Sequence, residues 1–150
     1  MNELELTHIL LGNKVTAPYF CGVISYDELY HKVPQTGFYI CNTDASTGPG
    51  EHWVALAWFH GVPAEFFDSL ARPPSDYNTD FIDFLILNGP NYKYSSKRIQ
   101  DHESVKCGEF CIFYAYHRCS GYSLESILNM FTDNNLKRND IKVESFVNSL

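Results

Sequence analysis

The sequence predicts an α+β fold in which a short central sheet, built in the middle third of the chain, packs against helices placed before and after it. Three observations carry this expectation. The run His52 to Phe59 (HWVALAWF) is apolar at odd and even positions alike, as a central strand covered on both faces must be. The segment Cys107 to Cys119 (CGEFCIFYAYHRC) is apolar around most of its circumference, with only Glu109, His117 and Arg118 clearly polar, the pattern of a helix buried in a domain centre. The strands also cluster instead of alternating with helices, which separates this arrangement from βαβ units. With 150 residues, 45% of them hydrophobic, the chain can enclose one core and is short for two, so residues 1–150 are read as a single domain.

Element by element, Glu3 to Leu11 has a modest amphipathic pattern that Gly12-Asn13 stops, giving a first helix. Gly37 to Cys41 (GFYIC) is a strand by its aromatic and β-favouring composition. The turn His60-Gly61-Val62-Pro63 joins the His52–Phe59 strand to Ala64–Phe67 as an antiparallel hairpin. Arg72-Pro73-Pro74-Ser75-Asp76 breaks the pattern, after which Tyr77 to Leu87 sets Tyr77, Phe81, Phe84 and Leu85 at helical spacing. The turn Asn88-Gly89-Pro90-Asn91 precedes a short outer strand, Tyr92 to Ser96. Gly121 ends the buried helix, and Leu124–Phe131 and Asp140–Leu150 read as two further helices.

Composition narrows the function. Eleven Lys and Arg against 18 Asp and Glu give a formal charge of −7, the wrong sign for bulk electrostatic capture of nucleic acid. The basic cluster Lys93, Lys97, Arg98 and Lys106 reads as a solvated rim. No apolar run approaches the ~20 residues that span a bilayer, and the start Met1-Asn2-Glu3-Leu4-Glu5 lacks the basic region of a signal peptide. Neither membrane insertion nor secretion is expected. Five cysteines without repeated spacing point to reduced thiols, and Cys107, Cys111, His117 and Cys119 within one helix are poorly spaced to converge on a zinc ion. Gly48-Pro49-Gly50 lacks the Gly-Lys-Ser/Thr ending of a phosphate loop, and there is no Gly-x-Ser-x-Gly elbow.

The chemistry-bearing residues centre on the buried helix. Cys107 opens it, where the helix dipole and unpaired N–H groups stabilise a thiolate, and Gly108 permits close backbone approach. The competing reading makes Cys107 a small core residue like Cys111 or Cys119. A cysteine nucleophile needs an imidazole on a rigid element; of the six histidines, His52 opens the central strand, while His8, His31, His60, His102 and His117 fall in helices or loops. Asp68 ends the neighbouring strand and can orient that imidazole; Glu51 is nearer in sequence, but adjacent strand residues point to opposite faces. Asp76, Asp80 and Asp83 read as a solvated helix start and outer face. Gln100, seven residues before Cys107, offers a neutral donor for a developing oxyanion, although most glutamines are merely exposed.

In this order the residues resemble the adenovirus protease (adenain) family and, more distantly, the SUMO- and ubiquitin-like-specific cysteine proteases. The resemblance runs from Pro18-Tyr19-Phe20 through Cys41-Asn42-Thr43, Gly50-Glu51-His52-Trp53 with its apolar strand, and Phe67-Asp68-Ser69, to Gln100 and Cys107-Gly108-Glu109-Phe110-Cys111. It implies a papain-like or adenain-like fold, with a central, mostly antiparallel sheet packed on the helix that carries the nucleophile. It further implies Cys107 as nucleophile, His52 as base and acid, Asp68 as orienting carboxylate and Gln100 as oxyanion donor. Trp53 and Gly108 would border the substrate, Trp53 as an aromatic wall that favours glycine near the cut, although strand packing accounts for that tryptophan equally well.

The adenoviral enzyme has glutamate where Asp68 stands, and Asp68-Ser69-Leu70 looks more like the SUMO-protease branch. Adenoviral relatives are activated by a disulfide-tethered peptide and by DNA; here Tyr77 to Gln100 holds no cysteine for such a tether and the charge is negative, so no cofactor is expected. The expected partner is a protein substrate, a viral capsid precursor cut at glycine-containing sites, in host cytoplasm or nucleus and in the virion. Two alternatives stand beside this: a protease for ubiquitin-like modifiers, and an inactive relative that only holds a Gly-rich tail.

Overall fold

A computed structural model describes residues 1–29, 36–89 and 91–150; His31, and Pro90 of the predicted turn, lie outside them. The elements are α1 (Glu3–Gly12), β1 (Phe20–Ser25), β2 (Gly37–Asn42), β3 (Trp53–Trp58), β4 (Glu65–Phe67), α2 (Thr79–Leu87), β5 (Lys93–Tyr94), α3 (Cys107–Cys119), α4 (Leu124–Leu128) and α5 (Leu136–Asn148). The strands form one sheet in the order β1-β2-β3-β4-β5.

β3 reads on both faces as its composition requires. Ala55 and Ala57 point to a core filled by Leu6 and Leu10 of α1, Phe110 to Ala115 of α3, Ile127 of α4 and Val143 of α5. Val54, Leu56 and Trp58 point the other way, to a second core with Phe66 and with Phe81, Phe84 and Leu85 of α2. The small side chains on the first face let α3 lie close against the strand.

The expected mostly antiparallel sheet needs correction. β2-β3 and β3-β4 are antiparallel, but β1-β2 and β4-β5 are parallel. Parallel pairing demands a crossover, and the segment from β4 through α2 to β5 supplies one on the second core's side. β1 itself escaped sequence reading, because its register slips between Phe20 and Gly22 and Gly22 has a left-handed φ of 147°, which breaks the alternation. β5 is shorter than Tyr92–Ser96. Three helices differ clearly at their ends. α4 stops at Leu128, short of the expected Phe131. α2 starts after its cap Asn78, whose side chain accepts from Phe81 N–H, so Tyr77 stands before the helix. α5 begins one turn earlier than Asp140, its polar first residues Lys137 and Arg138 having masked the start.

One buried ion pair ties α3 to the sheet. Arg118 grips Glu65 with Nε to Oε1 at 2.9 Å and Nη2 to Oε2 at 2.7 Å, and Tyr114 donates to Oε1 at 2.7 Å. The Tyr114 ring stacks on Phe67 at 4.5 Å, while the guanidinium lies over Phe59. Residues 107, 111, 114 and 118 share one helix face, so this clamp fixes the axial register of the helix that begins at Cys107. Arg118→Ala should destabilise the fold by roughly 3 kcal/mol or more in urea denaturation, because it strands a buried carboxylate; replacing both partners, Glu65→Leu with Arg118→Met, should cost far less.

Candidate active site

α3 begins at Cys107, and Lys106 at its N-cap makes no side-chain capping bond. The first N–H groups of the helix are therefore left for other acceptors. The Gly108 N–H, and the Trp53 N–H at the start of β3, stand near enough to Cys107 to lower its pKa. β3 thus delivers a backbone donor to the thiol and, one residue earlier, the side chain of His52.

The imidazole is held from both sides. His52 Nε2 lies 2.7 Å from Asp68 Oδ1, which leaves Nδ1 as the ring nitrogen for Cys107, near enough to help raise the imidazole's pKa. Asp68 is wholly buried just past the end of β4. Its carboxylate accepts from Leu70 N–H at 2.9 Å and from the Tyr77 hydroxyl besides His52. Its backbone is paired with the buried Ser95, whose Oγ accepts from Asp68 N–H and donates to Asp68 C=O, each at 2.8 Å. Burial alone would pull the His52 imidazolium down, but the Asp68 and Cys107 hydrogen bonds and charges outweigh it and raise its pKa to about 9. Burial likewise pushes the Cys107 thiol up, yet the His52 hydrogen bond, the backbone donors and the imidazolium charge outweigh it and bring the pKa below the ordinary thiol value of 9.0. Both shifts favour the thiolate–imidazolium pair over the neutral one.

Gln100 is buried against the same corner. Its Oε1 accepts from Ser69 Oγ and its Nε2 donates to Ser104 C=O at 3.0 Å. Asn139 of α5 holds the preceding loop, donating to Ile99 C=O at 2.9 Å. Cys107, His52, Trp53, Tyr77 and Gln100 open onto a cleft of about 720 Å³, whose far wall is the loop from Asn42 to Glu51. That wall is organised from within: Asn42 Oδ1 accepts from Asp44 and Glu51 N–H, Asp44 Oδ2 from Gly50 N–H, and Asp27 from Ser46.

Four residues singled out in the sequence, Cys107, His52, Asp68 and Gln100, thus meet at one corner. Trp53 lines the cleft, its Nε1 donating to Met1 C=O at 3.0 Å. Gly108 sits elsewhere than expected: it is buried beneath α1, where an added Cβ would come within 3.1 Å of Met1, and it reaches the site only through its N–H. The alternative acid Glu51 is exposed, and Asp76, Asp80 and Asp83 stay outside the cleft. Lys93, Lys97 and Lys106 of the basic cluster each pair with a carboxylate, and Arg98 donates to Gln100 C=O. Among the described residues no helix is long and apolar enough to cross a membrane, and no group of three or more His, Cys, Asp or Glu is arranged to hold a metal ion.

Sequence reasoning missed Tyr77. Its ring stacks on His52 at 6.3 Å and 22°, and its hydroxyl, held far above the usual phenol range by burial and by Asp68, stays a proton donor. The Pro73-Pro74 break and the capping Asn78 were the available signal that Tyr77 precedes the helix.

No protein-family model matches the chain, and no curated protein matches it in sequence. Solved structures do. The chain is similar to the ASFV pS273R protease, with a TM-score of 0.51 and 21% identity over 75% of this chain and 44% of that one. It is also similar to the central domain of the uncharacterized Lpg1148 protein from Legionella pneumophila, with a TM-score of 0.55 and 14% identity over 99% of this chain and 96% of that one. The likeness is one of fold, and the match spans under half the length of the ASFV protease.

Two outcomes follow from the site. Alkylation of Cys107 by iodoacetamide should begin below pH 9, where an ordinary thiol is still protonated, and its ion-pair form should persist until His52 deprotonates near 9. His52→Ala should move the onset to higher pH, because the imidazole's hydrogen bond and charge are lost while burial still opposes the thiolate and only the Trp53 and Gly108 N–H groups favour it, and Asp68→Asn should lower the upper limit; rate against pH measures both. Tyr77→Phe removes a donor from a buried carboxylate oxygen and should lower unfolding stability by about 1–3 kcal/mol in urea.

Proposed function

We propose that this chain is a cysteine endopeptidase acting through an acyl-enzyme. The observation that carries the reading is the line Asp68–His52–Cys107 at a cleft that Gln100 also lines. Likeness of fold to a protease agrees with it.

The Cys107 thiolate attacks the scissile carbonyl carbon, and the carbonyl electrons move onto oxygen. That oxyanion is met by a Gln100 Nε2–H and by the Cys107 backbone N–H, which has no carbonyl partner within the first turn of α3. As the C–N bond breaks, imidazolium Nδ1–H protonates the departing amine, leaving a thioester on Cys107 and neutral His52. Water then attacks the thioester while His52 takes its proton; the thiolate leaves, the carboxyl product departs, and the ion pair is restored. Asp68 orients and stabilises the imidazolium, with Tyr77 and Leu70 N–H holding the carboxylate in place. The steps use side chains and water.

The substrate is a protein segment threaded through the cleft in extended form. Trp53, fixed by its bond to Met1 C=O, is a rigid wall beside the nucleophile and favours glycine at the cut. On this reading the natural substrate is a viral capsid precursor, met in host cytoplasm, nucleus or virion, and no cofactor takes part. The turn Asp68-Ser69-Leu70 favours a second reading in which ubiquitin-like modifier precursors are cut after their glycines.

Peptides with a central Gly-Gly, set in varied flanks, should be hydrolysed by the wild-type chain, and Cys107→Ala should lower turnover by at least about 10⁴-fold. Retained turnover in the variant would refute the assignment. Rapid maturation of a modifier precursor, against slow cutting of free peptides, would select the second reading.

A further inference from the structure

The turn that closes β4 bears Asp68 and then Ser69, and its geometry is fixed by more bonds than a turn of this length needs. Leu70 N–H donates to Asp68 Oδ1 and Ala71 N–H to Asp68 C=O, each at 2.9 Å. Ala71 is held at a left-handed φ of 60°, which residues with a Cβ seldom adopt. Ser69 C=O accepts two N–H groups, from Ile99 at 3.0 Å and Gln100 at 3.1 Å, so the loop before α3 is anchored to this turn. The Ser69 hydroxyl is buried and donates to Gln100 Oε1 at 2.5 Å.

That last bond has a chemical consequence for the carboxamide. A carbonyl only accepts, so Ser104 C=O must face the nitrogen of Gln100, which turns Oε1 toward Ser69. One Nε2 hydrogen is then committed to Ser104, and the other has no acceptor among the described residues at the edge of the cleft that Cys107 shares. The terminal torsion of a glutamine is intrinsically soft, and one bond to Ser104 does not stop the amide from pivoting. The Ser69 bond at the opposite end does.

We propose that Ser69 is a positioning residue that aims the spare Gln100 N–H at the oxyanion formed when Cys107 is acylated; this rests on the thiol-protease reading above. Ser69 touches no reacting atom. Through one turn it ties the acid that orients His52 to the amide that receives the oxyanion.

The test uses two reagents on one sulfur, with the modified residue located at Cys107 by mass spectrometry. Acylation by p-nitrophenyl acetate passes through a tetrahedral oxyanion and expels p-nitrophenolate. Alkylation by iodoacetamide displaces iodide directly and forms none. Ser69→Ala should slow acylation by about tenfold or more, given that losing a whole oxyanion donor typically costs 10²–10³. The alkylation rate and its pH profile should not move. Adding Ser69→Ala to Gln100→Ala should slow acylation no further. Ser69→Cys, near in volume and a weaker donor, should give a smaller loss of the same kind, and it carries the comparison where the alanine variant loses its fold by circular dichroism. Equal loss of both rates, no loss of either, or a full additional loss in the Gln100→Ala background overturns the proposal. The protease reading fails separately, if wild-type Cys107 is acylated and alkylated no faster than an exposed free thiol.

Discussion

A carboxylate with no contact with solvent, placed where the chain leaves β4, is the constraint on which the rest of the site depends. Removing Asp68 from water is tolerable only because donors surround it: His52 Nε2, the Tyr77 hydroxyl and Leu70 N–H on the side chain, with Ser95 on the backbone. Each donor comes from a different part of the chain. Satisfying one buried charge therefore brings together the start of β3, Tyr77 ahead of the α2 cap, the turn after β4 and the strand end at Ser95. The imidazolium gains its stability from that charge, and the thiolate gains its own from the imidazolium. The reactive state is thus propagated outward from the least accessible group.

The fold supplies this arrangement by layering. α3 approaches β3 across Ala55 and Ala57, which brings the first turn of the helix against Trp53 N–H. The clamp of Glu65 with Arg118 and Tyr114 fixes the far end of the same helix to the strand that leads into Asp68. Acid and sulfur are therefore held by a single rigid pairing of strand and helix, with the imidazole between them. The loop from Asn42 to Glu51 is ordered by its own Asn42 and Asp44 side chains, so the opposite wall of the cleft needs no support from α3.

Much of this was legible in the residues. HWVALAWF announced a strand buried on both faces, and CGEFCIFYAYHRC a central helix with a thiol at its head; both are seen as β3 and α3. The order of His52, Asp68, Gln100 and Cys107 picked out four groups that meet in space. What failed did so for physical reasons. β1 was hidden because a glycine with positive φ and a register slip destroy the period of two. The parallel pairings of β1 and β5 were not visible, since strand direction depends on where the connecting chain crosses and leaves no local pattern. Tyr77 was read as part of a helix stripe because its spacing to Phe81 fits one, whereas a cap at Asn78 puts it outside the helix and frees its hydroxyl for Asp68. The resemblance implied that Gly108 borders the substrate, but successive helical residues diverge by about a quarter turn, which sends it under α1.

The chain's two tryptophans lie on opposite sides of the sheet. Trp58 is enclosed with Tyr39 and Phe84 in the core beside α2, whereas Trp53 borders the cleft with its indole N–H on a main-chain carbonyl. Intrinsic fluorescence consequently has one silent emitter and one that senses the occupied or empty groove. With Trp58→Phe as the reference protein, the emission that remains is an optical gauge of ligand entry that requires neither turnover nor a synthetic label.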